Sequence, residues 1–184
     1  MIKISLVVGN PKPASRTRRI GERLIERLFP PGSYELVVVD LADHADKLFT
    51  WPCEEIAKLN AAVASSQLAV FASPAYKATF TGLLKAFLDR YPASGLRGVV
   101  AIPLMTGADL GHSMGPVSNL TPLLIELGAV VPVRGLYFVT AHMDQLNIFL
   151  NKGADEVTES LRAVASVAPL LHSNVDTPWR GRLR

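Results

Sequence analysis

The sequence predicts an α/β fold in which an open parallel sheet of five strands is covered by helices on both faces. Three observations carry this. Apolar runs of strand length alternate with stretches of helical periodicity along the whole chain. The strand candidates are apolar at consecutive positions, as in IKISLVV at residues 2–8, which is what strands buried on both faces require. The segments leaving the predicted strand ends, residues 9–17, 73–80 and 104–113, gather glycine, proline, hydroxyl and basic residues. In such sheets ligands bind outside the carboxyl ends of the strands.

Each element follows from local pattern. After the first strand, residues 16–29 place Ile20, Leu24 and Leu28 on one stripe, with Ser15 or Thr17 as cap, and Pro30, Pro31 and Gly32 as stop. Residues 34–40 (YELVVVD) form the second strand, and a long polar connection containing Trp51 follows. Residues 53–65 fit a helix with Ile56, Leu59, Ala62 and Val63 inward. Residues 67–73 are the third strand, 79–91 a helix stopped by Pro92, and 98–104 the fourth strand. Residues 117–127 read as a helix ending at Gly128, with Pro122 inside it. Residues 130–140 supply the fifth strand, interrupted near Pro132 and Gly135, and residues 154–168 the last helix, ended by Pro169. This places one domain over residues 1–172 and a polar, basic tail over 173–184.

Composition narrows the function. With 184 residues, 49% of them hydrophobic, the chain has the material for one well-buried core. Net charge is +3, and three arginines in the tail against Asp176 account for most of it. Basic residues elsewhere are scattered without aromatic interleaving, which argues against nucleic acid as partner. No signal peptide pattern and no run of about 18 apolar residues occurs, so no membrane span is expected. A single cysteine, Cys53, excludes an intrachain disulfide and suggests a cytoplasmic setting. The four histidines lack metal-ligand spacing.

The first loop, GNPKPASRTRR at residues 9–19, carries Lys12, Arg16, Arg18 and Arg19 with no acid among them. Cations at a helix N-terminus oppose the helix dipole at roughly 0.3–1 kcal/mol each. The pattern makes sense where an anion occupies the turn, held by backbone N–H groups, hydroxyls and arginine, as a phosphate would be. A solvated basic helix start is the bland alternative. Neither the Gly-Lys-Ser/Thr of a P-loop nor a GxGxxG fingerprint is present, which disfavours ATP and a Rossmann-type dinucleotide at this turn. In SPAYKATFTGLLKAFLD, residues 73–89, Pro74 and the residues after it delay the helix and bring Tyr76 to the mouth of the site. The loop either runs along the edge of a flat ring or is an ordinary connection. The third loop, PLMTGADLGH at 103–112, is rich in backbone donors around Thr106 and Gly107, and His112 is either a site residue or a plain loop residue. No Gly-x-Ser-x-Gly elbow occurs.

Together these segments resemble the NAD(P)H-dependent FMN reductase family, which has a flavodoxin-like fold, and within it the subgroup serving alkanesulfonate assimilation. The resemblance covers about residues 2–172 and is strongest in SPAYKATFTGLLKAFLD, then in GNPKPASRT and PLMTG. It implies a three-layer sandwich with strand order 2-1-3-4-5. It implies FMN as ligand, with Gly9 and Asn10 in the first turn, Ser15, Arg16 and Thr17 at the phosphate, and Pro74, Ala75, Tyr76 and Lys77 along the isoalloxazine ring. Thr106 and Gly107 would meet the pyrimidine side, with Ala108 standing where the family often has glycine, and His112 nearby. It further implies hydride transfer from NADPH or NADH, assembly as a homodimer or homotetramer, and a flavin-dependent monooxygenase as possible recipient of reduced flavin.

No acid–base residue is expected, because the flavin carries the redox chemistry. The rival readings are a flavodoxin-like electron carrier, a flavin-dependent quinone reductase and a flavin-binding regulatory protein; a receiver domain is rejected because Gly9 and Asn10 stand where it needs clustered acids. Apolar excess at Phe80, Leu83, Leu84, Phe87 and Leu88 points to a dimer face. In the alkanesulfonate-type reductases the sixth residue after the histidine is often Tyr, on a wide turn of helix; here it is Ser118. With Gly115 and Pro116 alongside, the helix is expected to start between Ser113 and Val117, leaving loop beside a loosely held flavin.

Overall fold

Five parallel strands form one sheet in the order β2-β1-β3-β4-β5 in the computed structural model, which describes residues 1–170. The strands are β1 (Ile2–Val8), β2 (Tyr34–Asp40), β3 (Leu68–Pro74), β4 (Val100–Gly107) and β5 (Leu136–Val139). The helices are α1 (Arg16–Leu28), α2 (Glu54–Ala64), α3 (Gly82–Leu88), α4 (Thr121–Glu126) and α5 (Leu146–Val167). This is the expected flavodoxin-like sandwich. β3 is buried at all seven positions, as its unbroken apolar run requires. The tail at 173–184 lies outside the described residues.

The two faces of the sheet carry separate cores. On one, Ile4, Leu6, Val70 and Leu104 meet Ile20 and Leu24 of α1 and Leu150 and Val157 of α5. On the other, Val7, Phe71 and Met105 meet Ile56 and Val63 of α2, Leu84 and Phe87 of α3, and Leu120 and Leu124 around α4. Period-two alternation of β1 and β3 side chains feeds both layers.

Several boundaries differ from the sequence reading, each for a local reason. α3 starts at Gly82 rather than 79, because the Thr81 hydroxyl caps it by accepting the Leu84 N–H at 3.2 Å. α3 also absorbs most of its apolar residues: Leu84, Phe87 and Leu88 are buried within the single chain, leaving Phe80 and Leu83 half-buried. β5 shrinks to four residues, since Pro132 offers no N–H and Gly135 turns the chain at φ +85°; Val130 makes only an isolated bridge to Val100. α5 begins eight residues earlier than expected, with Leu146, Leu150, Gly153, Ala154 and Val157 as its buried stripe. Gly153 permits a close approach inside this helix: a Cβ there would lie 3.1 Å from a Leu136 methyl.

The segment before α4 is a π turn over Pro116–Leu120, so the helical path begins within the expected window. Thr121 donates its backbone N–H to the carbonyl of Pro116, five residues back, and its hydroxyl reaches the same oxygen at 2.9 Å. Pro122 explains the widening. It has no N–H for the carbonyl of Ser118, and its ring would collide with that carbonyl in a regular helix.

Candidate functional site

The C-terminal ends of β1, β3, β4 and β5 enclose a cavity of about 410 Å³, within the roughly 300–1,000 Å³ of small-molecule sites. It is lined by Asn10, Lys12, Ala14 and Ser15 before α1 and Arg16 and Thr17 at its start, by Pro74 at the end of β3 with Ala75 and Tyr76 after it, by Thr106 and Gly107 at the end of β4, which runs three residues past the expected 104, with Ala108 after it, and by Thr140. Ten of the thirteen expected site residues thus meet in one cavity, and Gly9, Lys77 and His112 do not line it. Gly9 is buried against α3 instead, where a Cβ would come within 2.6 Å of the Leu84 Cβ, and its carbonyl accepts the Thr81 hydroxyl proton. Lys77 and His112 are exposed.

One end of the cavity gathers groups of the kind that suit an anion. Ser15 caps α1, its hydroxyl accepting the Arg18 N–H at 3.2 Å. The amides of Arg16 and Thr17 lie in the first turn, where no intrahelical acceptor exists. Arg16 is exposed and reaches across to donate Nη1–H to the carbonyl of Thr140 at 3.2 Å. The four cations of the loop are not equivalent, because β2 ends by bringing an acid to them. Arg18 pairs with Glu22 at 2.8 Å and with buried Asp40 at 3.5 Å. The Glu22 hydrogen bond, with Asp40 adding to it, holds its guanidinium above the ordinary arginine value. Arg18 is therefore spoken for, and Lys12 and Arg16 are the cations that line the cavity.

Asp40 also shapes the loop. Its Oδ2 accepts the N–H of Ala14 at 3.1 Å, fixing a residue held at φ +49°; a left-handed conformation costs a non-glycine residue roughly 1–2 kcal/mol. Its Oδ1 is buried without a partner among the described residues. A chain of side chains ties the first loop to the third: Asn10 Nδ2 donates to Thr17 Oγ1 at 3.1 Å, and Thr17 Oγ1 shares a hydrogen bond with Thr106 Oγ1 at 2.9 Å. The Thr17 hydroxyl is thus a strut between Asn10 and Thr106.

The other end is walled by main chain and small side chains. The Ala75 N–H donates to the Thr106 carbonyl at 2.6 Å, which joins the second and third loops. Tyr76 and Thr79 pair across a tight turn whose central residues, Lys77 and Ala78, sit at φ +52° and +74°. The Thr140 hydroxyl donates to the Gly107 carbonyl at 3.2 Å, and Tyr137 donates to the Asp109 carbonyl at 2.9 Å. Gly107 has no room for a side chain, since a Cβ would lie 1.7 Å from the Tyr137 hydroxyl. Sequence reasoning passed over Thr140 and Asp40. Thr140 closed the expected fifth strand, and a strand's C-terminal end was a usable signal; nothing local marked Asp40 as a neighbour of residue 14.

A model of the family described as NADPH-dependent FMN reductase matches residues 2–144. The chain belongs to that family. Among its curated relatives, an FMN reductase (NADPH) from Escherichia coli is 37% identical over 68 residues, 37% of this chain and 36% of its own. An FMN reductase (NADPH) from Pseudomonas putida is 27% identical over 115 residues, 62% of this chain and 54% of its own. The chain thus spans about a third and a half of these two relatives. The crystal structure of an NADH:FMN oxidoreductase in its apo form superposes with a TM-score of 0.74 at 26% identity, over 84% of this chain and 87% of that one. The family match takes in all three loops that build the cavity.

Proposed function

We propose that this protein is an NAD(P)H-dependent FMN reductase, using NADPH or NADH. The single observation that carries the reading is the two-ended cavity, with a cationic helix start at one end and main-chain walls at the other. The names of its relatives point the same way. The residues present fit FMN. Lys12, Arg16 and the first amides of α1 suit the phosphate, and Pro74, Ala75, Tyr76, Thr106, Gly107 and Ala108 suit the edge of a flat ring. Bound there, FMN would supply the redox chemistry as the hydride acceptor. The chain's own work is positioning. Ser15 and Asp40 set the loop that receives the phosphate, and small residues leave the ring side open for a second ligand to stack. No side chain in the cavity need transfer a proton. Oxidation of NADPH or NADH by the purified protein with added FMN is the expected result. Absence of oxidation with either nucleotide refutes the function.

The finer reading rests on the same site. Residues 1–172 form the catalytic domain, in a cytoplasmic protein. Half-buried Phe80 and Leu83 with exposed Met114 and Val117 favour a homodimer or homotetramer; a monomer in light scattering at micromolar concentration refutes this. Loop rather than helix borders the site near His112, which suits release of reduced FMN to a partner monooxygenase. Retention of stoichiometric FMN through extensive dialysis refutes release.

A further inference from the structure

Asn119 is a polar residue that the cavity does not use, on an element whose geometry is itself unusual. It lies within the π turn Pro116–Leu120, and its Nδ2 donates to the carbonyl of Ala78 at 3.0 Å, across 41 positions of sequence. Ala78 is the second of two consecutive non-glycine residues at positive φ, φ +52° at Lys77 and +74° at Ala78. Such a two-residue turn favours glycine or asparagine at its centre, and here it has neither. The turn begins at Tyr76, which lines the cavity, and closes through the Tyr76 N–H to the Thr79 carbonyl at 2.9 Å. The strained turn is thus held at one end by its own hydrogen bond and from outside by Asn119.

We propose that Asn119 is a positioning residue for the ring side of the site, and that the π turn exists to aim it. Successive helical residues are offset by about 100°. The extra residue of a π turn therefore rotates everything before it by about that angle relative to the helix after it. Pro122 forces the extra residue, the extra residue turns Asn119 toward the Ala78 carbonyl, and that bond keeps Lys77 and Ala78 left-handed. Tyr76 and the Ala75–Thr106 connection are held in place as a result. Asn119 acts through the turn and touches no ligand. This inference rests on the flavin-binding reading for its consequence, but not for the clamp.

The test reads the clamp and the consequence separately. In protein without flavin, Asn119→Ala should speed amide hydrogen exchange at Tyr76 while leaving exchange in β3 unchanged. In flavin titrations the same variant should lose roughly 3- to 10-fold in affinity, the equivalent of one net hydrogen bond, equally for FMN and riboflavin because the turn serves the ring and not the phosphate. Adding Ala78→Gly should restore both readings, since glycine adopts the left-handed conformation unaided. Asn119→Leu, close in size and without the donor, should behave as Asn119→Ala. Unchanged exchange in Asn119→Ala overturns the clamp. Faster exchange with unchanged flavin affinity, or a loss that Ala78→Gly does not restore, overturns the positioning role. Failure of the unaltered protein to bind either flavin overturns the flavin reading and with it the positioning role, while the exchange result still decides the clamp.

Discussion

Arg16→Ala tests the anion end of the cavity most directly. Arg16 is the first residue of α1, is exposed, and makes one hydrogen bond, to the Thr140 carbonyl at 3.2 Å. Losing that exposed bond costs at most about 0.5–1.5 kcal/mol of stability. Removing a cation from the positive end of the helix dipole returns about 0.3–1 kcal/mol, and alanine is the best helix former. The fold should therefore be close to unchanged. Ligand binding should not. A charged hydrogen bond to phosphate is worth roughly 1.5–3 kcal/mol, or about 10- to 150-fold in affinity. Riboflavin has no phosphate and should bind the variant as it binds the original. The assay is a pair of fluorescence-quenching titrations, FMN and riboflavin, at low and raised salt; the difference between the ligands should shrink with salt, because an exposed charge is screened. Arg18 cannot take over, because Glu22 and Asp40 hold it. Equal losses for the two flavins, or none for FMN, would refute the assignment of the phosphate to this turn.

Gly107→Ala must displace the Tyr137 ring, whose hydroxyl lies 1.7 Å from the new Cβ, and break its bond to Asp109; a lower melting temperature and weaker binding of both flavins are expected, with Tyr137→Ala as the compensating change. Burial pushes the Tyr91 phenol well above its ordinary value. Stability from this group is therefore complete below about pH 10, where the unfolded phenol ionises, and falls as pH rises beyond that. Tyr91→Phe should lose less stability on that alkaline limb, read from urea midpoints on either side of pH 10. Glu55 is held below the ordinary carboxylate range by hydrogen bonds from Lys47 and then His44. Its contribution is present above about pH 4.3 and is lost as pH falls through its lowered value; Glu55→Gln should flatten the acid limb of the same measurement.

The sheet was legible because buried parallel strands leave long apolar runs, and helices leave stripes, that no other arrangement explains as well. The cavity loops were legible for the same reason that they function: glycine, proline and cations at strand ends conflict with plain stability. What stayed hidden depends on chain segments far apart in sequence. Nothing near residue 40 says that its carboxylate will seize Ala14 and Arg18, so all four cations of the first loop looked equally available. Nothing near Thr17 says that its hydroxyl will be taken by Asn10 and Thr106. The last helix was expected only from 154, because the tight contact that lets Gly153 sit inside it is made with Leu136, seventeen residues away. Which of the apolar residues around α3 the chain's own core takes (Leu84, Phe87, Leu88) and which it leaves half-buried (Phe80, Leu83) depends on α2 and the sheet, far away in sequence. Pro122 marked a disturbance inside the helix expected over 117–127, and its form is the π turn of Pro116–Leu120.

The two ends of the cavity differ in which atoms do the recognising. At the end away from the cations the lining side chains include proline, alanine and glycine, and peptide groups of Ala75, Thr106 and Gly107 hold that wall together. A peptide group is present whatever residue carries it. Substitution can crowd that wall, as at Gly107, yet cannot delete its hydrogen-bonding pattern. At the anion end the charge resides in two exposed side chains, and single substitutions can abolish it. Drift in sequence should therefore leave affinity for the flavin nucleus largely intact while changing how strongly the nucleotide is gripped. If the cavity takes FMN as proposed, grip on its phosphate is then the part of the binding that single substitutions tune most easily, by evolution or by design.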